Sequence, residues 1–184
     1  LPGYFNGAAD YRSYVDTLVE AKSIPDSSKI WWDVRPHSKY PTLEFRICDI
    51  CTNVNDAICC AALLQALVLK HYKMRKDNIT FRRYPMGLIE ENKWRALRYG
   101  VEGKLIDYGR QEELPTSYLL VELVEFVDDV LDDLGTRAEV EQVFKITERG
   151  TSAAQQIKIF EETGDVKKVV DWLIEETMNE CAVA

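Results

Sequence analysis

The sequence predicts an α+β fold that is mostly helical around one small antiparallel strand pair. Two short runs between residues 30 and 49 alternate apolar and polar side chains, as strands with one buried face do. Most of the remaining sequence carries apolar residues at helical spacing. Because 46% of the 184 residues are hydrophobic, the chain can bury a core. We therefore expect a single domain over residues 1–184, with the strand pair at about 30–49 and a helical remainder.

The first predicted helix and the strand pair follow each other closely. Apolar residues recur at helical spacing from Asp10 to about Ala21, and Ile24-Pro25-Asp26 ends that helix. The strand pair occupies WWDVRPHSKYPTLEFRICD, residues 31–49. Its two runs are joined by the polar link PHSKYP, which has a proline at each end. Such a link indicates neighbouring, antiparallel strands.

A long apolar helix is predicted next. Asn53 or Asn55 can cap DAICCAALLQALVLKHYKM, which is apolar on nearly all sides, so we expect it to be buried in the middle of the fold. Residues 76–88 predict a loop with a short extended piece. IEENKWRALRYG then predicts a short helix that Gly100 closes, before a small extended GKLID.

Amphipathic helices separated by glycines fill the last third of the chain. LPTSYLLVELVEFVDDVLDDLG has Pro115 near its first turn and Gly135 after its last. TRAEVEQVFKITERG offers Thr136 and Glu139 as a capping box. TSAAQQIKIFEETG and DVKKVVDWLIEETMNE follow, and each opens with a capping residue.

The two predicted strands place their charged side chains on one common face. Asp33 and Arg35 lie on that face in the first run, and Glu44 and Arg46 in the second. One interpretation is a sheet with one solvated side, on which these residues form cross-strand ion pairs. The other is the floor of a polar site, where a carboxylate holds a hard cation and arginines bind phosphate or carboxylate oxygens. The pattern alone favours the solvated side.

Composition and charge exclude several classes of protein. The net charge of -8 argues against a general nucleic-acid or anionic-membrane surface, because both partners require a basic footprint. The sequence has no apolar run of about 18 residues or more and no export signal pattern at its start, so we expect a cytoplasmic protein without a membrane span.

The cysteines are predicted to be reduced thiols that serve as small packing residues. Their number is odd and their spacing follows no disulfide framework. Cys48 and Cys51 form a single CxxC without a second pair, which is a weak signal for zinc or redox chemistry. The five cysteines are Cys48, Cys51, Cys59, Cys60 and Cys181.

Three blocks, in this order, resemble the C-terminal half of the carboxylate-amine ligase family, also called type 2 glutamate-cysteine ligases. They are WWDVRPHSKYPTLEFRICD, ENKWRALRYGVEGKLID and RGTSAAQQIKIFEETGDVKKVVDWLIEET, and the resemblance covers essentially the whole chain. That family belongs to the glutamine synthetase superfamily, and LEFR resembles the superfamily strand in which a glutamate and an arginine stand two residues apart. The resemblance implies the C-terminal part of a glutamine synthetase-like fold.

The resemblance also implies roles for individual residues. Glu44 matches the glutamate that holds a magnesium ion beside the ATP γ-phosphate. Arg46 matches the arginine that contacts the transferred phosphoryl group or the substrate carboxylate. Arg35 is similar in position to an upstream arginine that binds nucleotide phosphates. Asn92 and Arg98 belong to a recurring block of the family, and we expect them in the nucleotide site without a specific role.

The implied function is an ATP-dependent ligase that joins a glutamate-like carboxylate to a cysteine-like amine through an acyl phosphate. ATP and Mg²⁺ are the expected cofactors. Members of the family are longer, so the expected partner of this chain is the missing N-terminal half of the same protein, and the chain alone is expected to be inactive. The oligomeric state, a homo-oligomer included, stays open. The alternative is a non-catalytic helical module that binds a partner protein through the charged strand face.

Overall fold

The computed structural model describes residues 3–179 and groups the chain into two compact units, Leu1–Asp49 and Ile50–Ala184. Helices dominate, and each unit contains one antiparallel sheet of two strands. The predicted α+β fold, mostly helical, is confirmed. The prediction of one domain over residues 1–184 stays a prediction.

The first unit contains one helix, a short 3-10 turn and a strand hairpin. Helix α1 spans Ala8–Glu20, close to the predicted limits, and the 3-10 turn spans Ser27–Lys29. Strands β1, Val34–Pro36, and β2, Leu43–Phe45, form the predicted antiparallel pair. Four aromatic rings of this unit pack together, with centroids 5.5 to 6.4 Å apart. They belong to Phe5, Tyr11, Tyr14 and Trp32.

The strand register places the charged residues as the alternation predicts. Arg35 lies opposite Glu44, while Val34 pairs with Phe45 on the other face. The backbone N–H of Arg46 donates to the carbonyl of Asp33 at 2.7 Å, so the pairing continues one step past the strands.

The second unit consists of six α-helices and one further hairpin within the described part of the chain. The helices are α2 (Val54–Lys76), α3 (Met86–Tyr99), α4 (Thr116–Leu134), α5 (Arg137–Arg149), α6 (Ser152–Thr163) and α7 (Val166–Asn179), of which α6 and α7 form a helical hairpin of their own. A 3-10 turn at Gly100–Glu102 and strands β3 (Lys104–Asp107) and β4 (Glu112–Pro115) separate α3 from α4. Each helical stretch predicted in this region is present.

The core of the second unit lies where α2, α4 and α5 meet. Alanines 62 and 66 of α2 are buried, and their small side chains let α4 and α5 approach closely. The other buried members are Val127, Val130, Leu131 and Val140.

Helix α2 is not buried on all sides, so the sequence-based expectation was wrong. Only a stripe through Cys59, Ala62 and Ala66 is buried, while Ile58 is 45% exposed and Val68 41% exposed. Helices α4 and α5 both pack against the buried stripe of α2. Two helices can cover only one side of a third, so the other side of α2 is exposed. Among the described helices, α2 is long and apolar enough to cross a membrane, a test that core helices of soluble proteins also pass.

Two local predictions also differ from the structure. The hairpin β3–β4 was expected only as an extended GKLID, because the acidic Glu112 and Glu113 show no strand alternation. The predicted capping box at Thr136 does not form, and the Thr136 hydroxyl is buried without a hydrogen-bond partner in the described structure. Asn53, Thr151 and Asp165 do cap their helices as predicted.

Candidate functional site

The charged face of the strand pair brings Arg35, Glu44 and Arg46 together. Nε and Nη2 of Arg35 lie 2.8 and 2.7 Å from Oε2 of Glu44. Nη1 of Arg46 donates to the other oxygen, Oε1, at 2.7 Å. The Glu44 carboxylate is therefore held between two guanidinium groups, which is the strongest kind of protein hydrogen bonding.

The two arginines differ sharply in their surroundings. The Arg35 side chain is only 7% exposed, whereas that of Arg46 is 41% exposed. The remaining donor group of Arg35, Nη1, donates to three backbone carbonyls at and after the 3-10 turn. These are the carbonyls of Ser27 at 3.0 Å, Ser28 at 2.6 Å and Ile30 at 2.8 Å. Arg35 is thus fully engaged within the fold, while Arg46 has room to turn.

This arrangement keeps Glu44 ionised. The hydrogen bonds from Arg35, and next those from Arg46, hold the pKa of the Glu44 carboxyl below its ordinary value of 4.5. The Glu44 side chain is 26% exposed, so its carboxylate also reaches solvent. The site therefore presents a permanent negative charge flanked by positive charge at neutral pH.

The cluster can supply one ligand to a magnesium site, the Glu44 carboxylate, but not a complete set of ligands. Residues 3–179 contain no group of three or more His, Cys, Asp or Glu side chains that could hold a metal ion by themselves. Magnesium is usually bound by one or two carboxylates together with substrate phosphates and water. Among the described residues, Oε1 of Glu44 accepts a hydrogen bond from Arg46, and its remaining lone pair can take a further contact.

Asn92 and Arg98 lie on α3 in the second unit. The Asn92 amide pairs with the backbone of Ile106 in β3: Nδ2 donates to the carbonyl and Oδ1 accepts from the N–H, both at 2.8 Å. The Asn92 side chain thereby links α3 to β3, because it pairs with both backbone groups of Ile106 as a residue of a neighbouring strand would. Arg98 is exposed, and its guanidinium lies 5.7 Å from the ring centroid of Tyr99. The expected roles of both residues in nucleotide binding stay predictions.

Comparison with known proteins accounts for the three sequence blocks that resemble the ligase family. A family model described as "Glutamate-cysteine ligase family 2(GCS2)" matches residues 1–172. The chain belongs to glutamate-cysteine ligase family 2. The resemblance expected from the three sequence blocks is therefore confirmed.

Relatives from several bacteria share about half of their aligned residues with this chain. A Herpetosiphon aurantiacus protein is 52% identical over 178 residues, covering 97% of this chain and 46% of its own length. Proteins of Solibacter usitatus and Chloroflexus aurantiacus are 48% and 51% identical, covering 96% and 97% of this chain. All three carry the name "Putative glutamate--cysteine ligase 2". The chain spans about half the length of these family members.

A second polar cluster in this family member was not anticipated from the sequence. The Arg149 guanidinium contacts the carboxylates of Asp56 and Glu176, and the Asn53 amide donates to Glu176 at 2.8 Å. The cluster joins the start of α2 to the end of α5 and to α7. Arg149 opens the RGTSAAQQ block, which was a signal of its importance but not of its partners. The space beside it is about 10 Å³, enough for one water molecule, so the cluster has a structural character.

The cysteines give no support for a metal or redox centre. Among the described residues, Cys48, Cys51, Cys59 and Cys60 form no disulfide, and Cys59 is buried in the core. Cys181 lies outside the described residues. The predicted role of the cysteines as packing residues fits Cys59 best.

Proposed function

We propose that the full-length protein is an ATP-dependent glutamate-cysteine ligase, and that this chain supplies Glu44 and Arg46 to its ATP and metal site. Family membership supports a ligase activity. The observation that carries the site assignment is the Glu44 carboxylate, held between Arg35 and Arg46 on the charged face of the strand pair. Arg46 is 41% exposed, so it can leave Glu44 for a ligand without breaking a buried contact.

The proposed reaction has two steps. An oxygen of the glutamate γ-carboxylate attacks the γ-phosphorus of ATP, and the bond to the bridging oxygen breaks to release ADP. The amino nitrogen of cysteine then attacks the acyl carbon of the resulting acyl phosphate. The carbon–oxygen bond to phosphate breaks, and the proton lost by the nitrogen leaves with the phosphate. Both nucleophiles come from substrates, so the protein must position them and stabilise developing charge.

Arg46 suits the stabilising role. Its guanidinium is 41% exposed and can turn from Glu44 toward phosphoryl or carboxylate oxygens. A planar guanidinium binds two such oxygens at once, which a lysine cannot do. We therefore place Arg46 in contact with the transferred phosphoryl group.

Arg35 suits a positioning role instead. Contact with nucleotide phosphates, as the resemblance implied, would require Arg35 to leave its backbone carbonyl partners and Glu44. Through its two bonds to Oε2, it leaves Oε1 of Glu44 facing Arg46. Magnesium, when bound, would neutralise phosphate charge, and Glu44 is the residue here that would hold it.

The proposal is tested in the full-length ligase with the variants Glu44→Gln and Arg46→Met. Product amide and ADP are measured together with glutamate, cysteine, ATP and Mg²⁺ present. We expect each variant to lower kcat/KM by roughly 100-fold or more, since removing one stabilising group from a transition state costs about that much. Raising the Mg²⁺ concentration should partly restore Glu44→Gln but not Arg46→Met.

Lys39→Met is the matched control. Lys39 is an exposed cation in the loop that joins the same two strands. Its loss should leave kcat/KM within about twofold, which separates a local effect from loss of surface charge. Rates within twofold of wild type for both Glu44→Gln and Arg46→Met would show that the site lies elsewhere.

A further inference from the structure

Helix α7 exposes an apolar stripe along its whole length. Val166, Val170, Ile174 and Met178 follow one another at intervals of four residues, so they lie along one side of the helix. Their exposed fractions are 63, 47, 58 and 58%, respectively. The same helix buries Val169 and partly buries Trp172 and Leu173 on another side. Helix α7 is therefore apolar on a side that the described structure does not cover.

The preceding helix, α6, continues this pattern. Ile157 and Phe160, three residues apart, are 58 and 47% exposed. Helices α6 and α7 pack against each other, and Gly164 between them adopts the left-handed conformation with φ of 65°. We call these six residues the hairpin apolar surface: Ile157, Phe160, Val166, Val170, Ile174 and Met178.

Single exposed apolar residues are normal on a protein, but a row of four along one helix is not. A helix presenting apolar residues at this spacing is the usual form of a helix that packs into a groove. Charges of both signs accompany the row, Lys167 and Lys168 with Asp171 and Glu175. A helix that lies on anionic lipid is instead predominantly basic. The surface therefore fits a protein partner.

We propose that the remaining part of the ligase polypeptide covers the hairpin apolar surface. The chain spans about 46% of the length of its relatives, each of which carries about as much protein again. A segment in the same polypeptide is present at a high effective concentration and in a fixed ratio, so it can cover this surface without a separate association step. The inference rests on family membership and not on the proposed ATP chemistry, so either can fail alone.

The test compares Ile174→Glu in two proteins, the 184-residue chain and the full-length ligase. In the chain, Ile174 is 58% exposed, so its replacement should move the melting temperature by no more than about 1 °C. In the full-length ligase, the same change would bury an unpaired carboxylate and should lower the melting temperature by roughly 5 °C or more. Thr177→Glu adds the same charge at an exposed polar position of α7 and should change neither protein by more than about 1 °C.

Three results would overturn the inference. One is an unchanged melting temperature of the full-length Ile174→Glu variant. Another is an equal loss in both proteins. The third is conversion of a full-length oligomer into monomers by Ile174→Glu, measured by light scattering, which would assign the surface to a second copy.

A second measurement applies even where the full-length variant does not fold. Met178 is 58% exposed in the chain, so peroxide should oxidise it readily there. In the wild-type full-length ligase, we expect Met178 to oxidise at least about fivefold more slowly than in the 184-residue chain. Mass spectrometry of the peptide that contains Met178 measures both rates. Equal rates in the two proteins would overturn the proposal.

Discussion

Both Nε and Nη2 of Arg35 contact one oxygen of Glu44, at 2.8 and 2.7 Å. Because Arg35 is buried and also bound to three backbone carbonyls, the position of the carboxylate is set by the fold around it. Residues at catalytic centres need such support, since small displacements of a reacting group cost large factors in rate. The relationship links the packing of the first unit to the proposed chemistry.

Replacing Arg35 with methionine should destabilise the 184-residue chain. The carbonyls of Ser28 and Ile30 lose the Arg35 donor, while that of Ser27 still accepts from the Ile30 N–H. Unsatisfied acceptors of this kind cost about 2 kcal/mol in total. Arg46→Met removes an arginine of the same strand pair that is 41% exposed and serves as the control with a smaller expected loss. Urea unfolding followed by circular dichroism measures both. Equal losses for the two variants would contradict the structural role of Arg35.

The contribution of Glu44 to stability should depend on pH. The pKa of Glu44 is lowered on folding, so its contribution is fully present above the ordinary value of 4.5 and is lost as the pH falls through the lowered value. We expect the difference in unfolding free energy between wild type and Glu44→Gln to be largest near neutral pH and to shrink below pH 4.5. Urea titrations at a series of pH values measure it.

The same substitution in an Arg46→Met background is the matched control. Arg46 is the second cause of the lowered pKa, so the pH-dependent part of the difference should become smaller there. If the difference in unfolding free energy between wild type and Glu44→Gln stays constant as the pH falls, the Glu44 carboxyl does not have a lowered pKa in the folded chain.

The charged strand face could be predicted from sequence because it depends on local geometry. Strand alternation alone places Arg35 and Glu44 on one side, and the register then sets them opposite each other. The backbone carbonyl partners of Arg35 could not be predicted, because they depend on how the 3-10 turn packs beside the strands. An arginine on a solvated face and an arginine inside a fold look alike in a sequence.

The same distinction explains the errors in the second unit. The apolar composition of α2 indicates how much surface the helix could bury, but not how many neighbours cover it, so the exposure of Ile58 was missed. Thr136 and Glu139 have the spacing of a capping box. Yet the backbone at Thr136, which follows the left-handed Gly135, does not present its side chain to the helix. Local patterns predicted the elements, and tertiary packing decided their partners.

Cys59 should be almost unreactive in the folded chain. Burial, and next the nearby Asp56 carboxylate, raises the pKa of the Cys59 thiol from 9.0 to about 11. A rise of that size lowers the thiolate fraction at pH 8 by about 100-fold relative to an ordinary thiol. We expect iodoacetamide to modify the exposed Cys48 but not Cys59, as read by peptide mass spectrometry. In urea both should react, and rapid modification of Cys59 without urea would contradict its burial.

Asn92→Ala should weaken the attachment of α3 to β3. Both hydrogen bonds to Ile106 are lost and its backbone groups lose their partners, which costs about 1–2 kcal/mol. Leu97→Ala is the control on the same helix, because Leu97 is 86% exposed and its truncation removes little packing. Urea unfolding of both variants measures the difference. A loss for Asn92→Ala no greater than that for Leu97→Ala would show that the pairing contributes nothing.

Arg149→Met should be among the more damaging single changes in the second unit. The change leaves the carboxylates of Asp56 and Glu176, which are 14 and 21% exposed, without their shared cation. Asp56 already has one oxygen, Oδ1, that is buried without a hydrogen-bond partner in the described structure. A carboxylate pair left partly buried and uncompensated costs less than a fully buried one, so we expect a loss of about 1–3 kcal/mol.

Arg137→Met is the matched control for this change, because Arg137 also contacts two carboxylates but on an exposed surface. Its partners Asp128 and Asp132 are 59 and 82% exposed. Solvent stabilises those carboxylates when the cation is removed, so Arg137→Met should destabilise the chain less than Arg149→Met. Urea unfolding at low and high salt separates the two, since salt screens exposed pairs more strongly than buried ones. If the two variants lose equal stability at both salt concentrations, the Arg149 cluster is an ordinary surface ion pair, and the joining of α2, α5 and α7 rests on apolar packing alone.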